Sequence, residues 1–304
     1  MNLGDQCPLD GGTMRPARQG VIDPYTGESF SIWSCDQCGL GQTVPSPDDI
    51  GRYYAPDYHG DRHGASGGIA NRRRLGFVSK TLGAASGRRL IDIGCGNGSF
   101  MEAARQRGWV VAGTELNPLD ARARGLLVES TLDELGDFAP VDLVTMWHSL
   151  EHIPDPVSMI RSVKSIVKDD GIILIAVPNF ASLQSRVTGS NWLHLDVPRH
   201  VSHFTRSSLT ALLGAENFQV LHSWNLELEY DVVGWSQSFL TPMTRGRTIF
   251  FDMLTHRSEQ GTRFKRLANF VSGIALSALV APIVLITTQV GNGAVLIVVA
   301  QVRQ

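Results

Sequence analysis

Between Leu90 and Phe100 the chain reads Leu-Ile-Asp-Ile-Gly-Cys-Gly-Asn-Gly-Ser-Phe, an apolar run broken by alternating glycines and followed by a helical stretch. Glycine lets the backbone bend sharply and come close to a ligand. The helix start behind the bend offers unpaired N–H groups. Asp92 stands just ahead of Gly94, Gly96 and Gly98, and Cys95 lies inside the loop. Glu115 closes the next apolar run, roughly twenty residues on, where an acid can take the two hydroxyls of a ribose. A lone glycine loop is only a tight turn. Strand, loop, helix, strand and acid in succession restrict the chain to an α/β sheet that binds its ligand at the carboxyl ends of the strands.

Short apolar runs keep alternating with helical stretches as far as about Tyr230. Strands are expected over Leu90–Ile93, Val110–Gly113, Val141–Trp147, Ile172–Val177, Val220–Glu227 and Ala294–Val302. Helices are expected over Asn71–Leu82, Phe100–Arg107, Pro156–Val167 and Leu209–Ala215, the last capped by Ser207 or Ser208. The dinucleotide fingerprint wants its third glycine at the position of Ser99, whereas here it falls at Gly98. That spacing, with Asp92 before it, resembles motif I of the class I S-adenosylmethionine (SAM) methyltransferases. Further segments match in the family's order. Glu115-Leu116 corresponds to the ribose-binding acid and its neighbour, and Ser130-Thr131-Leu132-Asp133 to the loop beside the adenine. VDLVTMWHSLEHIPDP corresponds to the fourth strand and its loop, DGIILIAVPN to the fifth. The resemblance spans roughly residues 88–228 plus the final strand. It implies a Rossmann-like seven-stranded sheet with helices on both faces and an antiparallel last strand, SAM as cofactor, and a methyltransferase activity. It implies that Asp92 and Gly94–Gly98 surround the methionine part of SAM. A nicotinamide oxidoreductase is disfavoured by the glycine spacing, and a non-catalytic SAM-binding adaptor is the other competing reading.

His148-Ser149-Leu150-Glu151-His152 spells the inverted zinc-protease motif, which needs a continuing helix. Here it closes a strand and runs into Ile153-Pro154-Asp155-Pro156, where a helix is hard to continue, so a protease is disfavoured. Three readings remain. In many relatives the segment is the loop after the fourth strand, with Glu151 fixing its geometry. An imidazole at His148 or His152 suits removal of a proton from an acceptor hydroxyl, or positioning of the acceptor. The quinone-pathway O-methyltransferases carry an acid-x-x-Glu-His cluster able to hold a divalent ion, and here His148 stands at the acid's place. O-methylation is preferred over N- or C-methylation because histidines suit a hydroxyl that loses a proton.

A second cluster, Asn191-Trp192-Leu193-His194-Leu195-Asp196-Val197-Pro198-Arg199-His200 followed by His203-Phe204, resembles a segment of one subgroup of the same superfamily. Arg199 is a candidate for a phosphate or carboxylate on the acceptor, with an internal Asp196–Arg199 ion pair as the plain alternative. His194, His200 and His203 are further substrate candidates, though His203 also suits a helix cap. Trp147 and Trp192 would shape the pocket, Trp147 on the cofactor side.

Cys7-Pro8-Leu9-Asp10-Gly11 and Cys35-Asp36-Gln37-Cys38-Gly39 look like two knuckles of a zinc ribbon, with Asp10 in place of one cysteine. Carboxylate is an acceptable zinc ligand, so Cys7, Asp10, Cys35 and Cys38 form a candidate structural zinc site; a decayed, metal-free knuckle is the alternative. The expected organisation is a ribbon-like module over 1–45, a connector and first helix over 46–87, the SAM-binding core over 88–230, a helical insert over 231–291 and a last strand over 292–304.

The insert carries Trp235, Phe239, Phe250 and Phe251, then Arg257, Arg263, Lys265 and Arg266. From Leu267 to Val302 the chain lacks Asp, Glu, Lys and Arg. That run is long enough to cross a bilayer. Pro282 and the return to the sheet favour instead a helix lying in the membrane interface through residues 257–290, its basic stretch meeting anionic headgroups. A buried lid and a dimer interface are the alternatives. Charged residues are 18% of the chain, below the roughly 25% of soluble proteins, which fits a surface partly turned away from water. With Lys+Arg 27 against Asp+Glu 29, no nucleic-acid partner is expected. The first residues lack the pattern of a signal peptide, so a cytoplasmic location, peripheral on the inner face of the membrane, is expected. The acceptor is then a small molecule, a glycan or a lipid-linked compound.

Overall fold

A computed structural model of the chain describes residues 6–47, 49–54, 67–83, 85–255 and 262–303. Arg257 of the basic stretch and much of the 46–87 connector lie outside the described residues.

Three N-terminal strands, β1 (Met14–Ile22), β2 (Ser29–Cys35) and β3 (Gly41–Val44), form an antiparallel meander. Helix α1 (Gly67–Leu82) leads into β4 (Arg89–Ile93), α2 (Ser99–Arg105), β5 (Val110–Thr114), α3 (Leu119–Ala123) and β6 (Leu127–Glu129). There follow β7 (Val141–Trp147), α4 (Pro156–Ile166), β8 (Val167–Pro178), α5 (Leu183–Thr188), β9 (Ser202–His203), α6 (Arg206–Ala215) and β10 (Phe218–Trp224). Three helices, α7 (Leu228–Leu240), α8 (Ile249–Leu254) and α9 (Arg263–Gln289), precede β11 (Val295–Val302).

The main sheet has seven strands in the order β10-β11-β8-β7-β4-β5-β6. Strands β4 to β8 pair in parallel, and β11 runs antiparallel to both its neighbours. The apolar runs are continuous because both faces are covered. In β8, Ile173, Ile175 and Val177 pack with Ile160 of α4 and Leu209 of α6. Ile172, Leu174 and Ala176 point the other way, onto Leu75 of α1 and Phe100 of α2. Strand β11 splits in the same period-two manner. This is the seven-stranded sheet with helices on both faces that the sequence implies.

Differences are local. The cap of α6 is Thr205 rather than Ser207 or Ser208. Its hydroxyl accepts from the Ser208 N–H while the Ser208 hydroxyl accepts from the Thr205 N–H, so two orphan amides are satisfied at once. Strand β10 stops at Trp224, and Glu227 sits instead at the start of α7, turned inward onto basic partners. Short β6 has too few apolar residues to announce itself.

The N-terminal module is not separate from the core. Strand β9 adds to β3, pairing Gly41 with His203 and Gln42 with Ser202. A side chain at Gly41 would put a Cβ 2.9 Å from that of His203, so glycine is what lets the two strands meet.

Candidate functional site

At the carboxyl end of β4, Gly94, Gly96 and Gly98 all adopt positive φ (70°, 56° and 76°). A Cβ on Gly94 would lie 2.6 Å from the Ser149 Cβ, so the loop after β7 closes directly on the glycine loop. Glu115, after β5, accepts from the Gly96 N–H through Oε2 and from the Leu116 N–H through Oε1, both at 2.8 Å. Each oxygen keeps a second lone pair. Asp92 is buried; burial pushes its carboxyl up to about 7, against the Thr145 hydroxyl that donates to it at 2.6 Å. Cys95 packs with Met101 and Leu126, and burial raises its thiol. The Leu116 side chain is 86% exposed. Leu132 packs against the core and Asp133 opens a short turn, both beside the Ser130 and Thr131 amides that donate to Glu134. Trp147 is buried under Arg74 and against Phe100, in the core rather than on the cavity described next.

Beyond the loop after β7 lies a cavity of about 630 Å³. The N-terminal module contributes Val21 and Tyr25 to its wall, the segment after α5 contributes Trp192, His194 and His200, and α8 contributes Phe251. His148, Glu151 and His152 form one side.

His148 adopts φ 53°, a strained conformation for a histidine. Its Nε2 lies 2.5 Å from Glu227, whose other oxygen takes Arg74 at 3.0 Å, and its ring stacks on Tyr230 at 4.1 Å. Burial opposes its proton, but Tyr230, Glu227 and Glu151 together carry its pKa well above the ordinary histidine value. A ring whose proton is held this firmly, with Nε2 taken by Glu227, is poorly suited to act as a base, so of the two sequence-derived roles the geometry fits positioning. Glu151 is almost fully buried. Its burial would raise its pKa, yet His148, His200 and His152 hold it down to about 2.

His152 donates from Nδ1 to the Arg199 carbonyl at 3.0 Å and meets the Tyr54 hydroxyl at 3.2 Å. Glu151, His152 and His200 bring one ligand-capable atom each within 4.8 Å. The Glu151 oxygen that faces His200 also faces the His148 imidazolium at 3.6 Å. A divalent ion there would sit beside a positive charge, so the acid-x-x-Glu-His ion site does not fit this chain.

Two substrate candidates are corrected. Arg199 is fully buried, and its guanidinium is taken up by Asp23 and Asp196 at 2.7 Å and by the Tyr53 carbonyl at 3.0 Å. It ties the N-terminal module to the core and has no face toward an acceptor. His203 lies outside the cavity wall, bonded to Thr43 at 2.9 Å and held neutral by burial, its pKa down to about 3. It does not cap α6 either. His194 does line the cavity, but its Nε2 is committed to the Tyr230 carbonyl at 3.1 Å and burial brings its pKa to about 4. Trp192 lines it too, its indole donating to Gln184 at 2.7 Å.

Sequence reasoning missed Arg74, Glu227 and Tyr230, which fix His148. The run Arg72-Arg73-Arg74 and the acids of Leu-Glu-Leu-Glu-Tyr-Asp were visible, but nothing in their spacing revealed that they meet.

Outside the cavity wall, Cys7, Asp10, Cys35 and Cys38 gather their ligand atoms within 4.8 Å. A tetrahedral zinc with Zn–S of about 2.3 Å requires S···S edges of roughly 3.8 Å; Cys7 Sγ and Cys38 Sγ are 3.7 Å apart. Both knuckles make the same turn, Gly11 N–H to the Cys7 carbonyl and Gly39 N–H to the Cys35 carbonyl. The Gln37 and Cys38 amides point at the Cys35 sulfur. A Cβ on Gly12 would lie 2.6 Å from that sulfur. The donor set fits zinc.

Residues 69–223, just over half of the chain, match the family model described as Methyltransferase domain. The chain is similar to the ubiquinone biosynthesis O-methyltransferase of Actinobacillus pleuropneumoniae, 30% identical over 127 residues, 36% of this chain and 54% of the relative. It is similar to the enzyme of the same name from Alkalilimnicola ehrlichii, 34% identical over 121 residues, 36% and 49% of the two chains. The chain thus spans about half the length of these curated relatives. Among solved structures it is similar to a SAM-dependent methyltransferase from Archaeoglobus fulgidus, with TM-score 0.48 and 18% identity, covering 79% of this chain and 96% of that one.

Proposed function

The chain belongs to the methyltransferase-domain family, and from that premise we propose that it transfers a methyl group from SAM to a hydroxyl oxygen of a small or lipid-linked acceptor. The observation that carries this reading is the joined cradle of glycine loop and acid, in which Glu115 and the Gly96 amide already hold each other at 2.8 Å. Asp92 and the glycine loop take the methionine end, Glu115 the ribose hydroxyls, and Leu116, Leu132 and Asp133 the adenine side. The sulfonium methyl is activated in the cofactor itself. The protein's work is to align the acceptor oxygen about 3 Å from it, a proximity effect worth several kcal/mol. The acceptor occupies the 630 Å³ cavity, and the quinone-pathway enzymes are the relatives that lend support to oxygen as the acceptor atom. Titration with S-adenosylhomocysteine and NADH tests the cofactor; tight NADH binding without S-adenosylhomocysteine binding refutes it. A labelled-methyl screen against lipid and glycan extracts of the native cell then tests the acceptor class.

A second reading concerns location. Helix α9 is long and apolar enough to cross a membrane, with mean hydropathy 2.3 over its window and only 22% of that window buried. Its outward stripe of Phe264, Leu267, Val271, Leu279 and Ile286 is exposed, while Val280 and Val284 pack on Trp235 of α7. Arg263 and Lys265 stand exposed at its start. We propose that α9 lies in the interface of an anionic membrane on the cytoplasmic side, next to α8, which walls the acceptor cavity. Three basic residues (Arg263, Lys265 and Arg266) at about 1 kcal/mol each predict roughly hundredfold weaker sedimentation with neutral than with anionic liposomes. Equal sedimentation with both, or none with either, refutes the seating.

A further inference from the structure

Several histidines face or adjoin the cavity, and they are not equivalent. His148 is an imidazolium clamped by Glu227. His194 and His203 have their Nε2 atoms committed to Tyr230 and Thr43. His152 bonds backbone and Tyr54. His200 differs. It donates from Nδ1 to the His194 carbonyl at 2.9 Å, which fixes the tautomer and leaves the lone pair on Nε2. That Nε2 lies 3.9 Å from Glu151 Oε1 and 3.9 Å from Asp196 Oδ2, two cavity-lining carboxylates. The other groups around its ring are His152 at 4.6 Å and His203 at 6.4 Å between centroids, with Arg199 behind Asp196.

Glu151 completes the corner. Both its carboxylate oxygens and the His148 Nδ1 are buried with no hydrogen-bond partner among the described residues. An unmet donor and an unmet acceptor, side by side on the wall of a cavity, match a hydroxyl, which accepts once and donates once. The link to the cofactor loop is short, since Ser149, next to His148, packs on Gly94.

The geometry points to His200 as the proton acceptor of the reaction, with the acceptor's hydroxyl oxygen taking the His148 Nδ1–H and its O–H directed into the 3.9 Å gap between Glu151 Oε1 and His200 Nε2. This rests on the methyl-transfer reading above. In the step, an oxygen lone pair forms the new O–C bond while the methyl C–S bond breaks and its electron pair stays on sulfur, leaving a neutral thioether. The hydroxyl proton passes to His200 Nε2, and the O–H electron pair remains on oxygen. The imidazolium so formed keeps its Nδ1–H on the His194 carbonyl and is stabilised by Glu151 and Asp196.

The test uses the full chain, labelled SAM and an organic extract of the native cells. His200→Asn keeps a donor for the His194 carbonyl but lacks Nε2. It is expected to bind S-adenosylhomocysteine as the native protein does, to lose methyl transfer by a hundredfold or more, and to lose the acid limb of the pH profile. Glu151→Gln keeps the shape of the carboxylate without its charge and is expected to weaken transfer while S-adenosylhomocysteine binding stays native. Nitrogen-15 spectra of the native chain are expected to place the neutral His200 proton on Nδ1. Transfer within a few-fold of native with an unchanged profile overturns the proposal, and so does a proton found on Nε2, a readout that needs neither variant to fold. Failure of the native chain to bind S-adenosylhomocysteine sinks the cofactor reading itself, a distinct result.

Discussion

Asp92→Asn is expected to make the protein more stable, and only at the upper end of the pH range. The native carboxyl is buried, and burial lifts it from 3.8 to about 7. Below pH 3.8 the native and unfolded chains both carry this proton, and no electrostatic cost arises. Between 3.8 and 7 the unfolded chain releases a proton that the native state keeps, so stability falls with rising pH by about 1.36 kcal/mol per unit. Above 7 both states are ionised and the loss is complete, about 4 kcal/mol in all. An asparagine does not titrate, and its Oδ1 can still accept from the Thr145 hydroxyl. Its buried amide hydrogens cost about 1–2 kcal/mol where unpaired. The variant should therefore gain about 2–3 kcal/mol at pH 8 and almost nothing at pH 5. Urea unfolding of both proteins at pH 5, 6, 7 and 8 measures the gap. A gap of the same size at every pH, or a variant less stable at pH 8, refutes the reasoning. If Asp92 is kept to face the cationic methionine end of SAM, the stabilised variant will bind SAM more weakly.

Arg199→Met takes the cation away from buried Asp23 and from half-buried Asp196 on the cavity wall. It should cost about 3–5 kcal/mol, read as a lower urea midpoint, while S-adenosylhomocysteine affinity in the folded protein stays at the native value; an effect on binding without one on stability would restore Arg199 to the acceptor site. Elemental analysis should find one zinc per chain, lost in Cys38→Ala together with a lowered melting temperature; a metal-free native chain with unaltered melting would mean the knuckles hold without an ion.

The parts legible in the sequence are those in which a local pattern carries its own geometry. The glycine spacing after Asp92 needs positive φ, and that need survives any tertiary context. The long apolar runs of β8 and β11 read as doubly covered strands because no polar face interrupts them. Glu115 could be placed because strand-to-strand distance in a βαβ unit is nearly fixed. What was illegible depends on long-range pairing. Of the two readings of Arg199, the internal pair with Asp196 is the one found, and its second partner Asp23, far away in the chain, could not be foreseen. His148 looked like a base or a positioning group until Tyr230, Glu227 and Glu151 raised its pKa, which leaves positioning. His203 suited a helix cap, but the competing strand pairing with Gly41 takes its backbone, and Thr205 makes the better reciprocal cap.

This division follows the architecture. The family match covers residues 69–223, and the whole cofactor cradle from Asp92 to Asp133 falls inside it. The cavity proposed for the acceptor falls inside it only in part, through His148, Glu151, His152 and the segment from Ser190 to His200. Val21 and Tyr25 come from the N-terminal module, and Tyr230, Thr248 and Phe251 come from the helices before β11. Those same helices supply Glu227, which charges His148, and the N-terminal module supplies Asp23, which holds Arg199 and hence the segment bearing His200. Chain outside the matched region therefore both shapes the cavity and sets the charge state of its polar corner. A change of acceptor among relatives is then expected to track changes in these flanking segments, with the glycine loop untouched. Grafting the β1–β3 module and the 228–290 helices onto another core of this family should carry acceptor preference with them; a graft that binds S-adenosylhomocysteine but keeps its old acceptor would show that specificity lies within 69–223 after all.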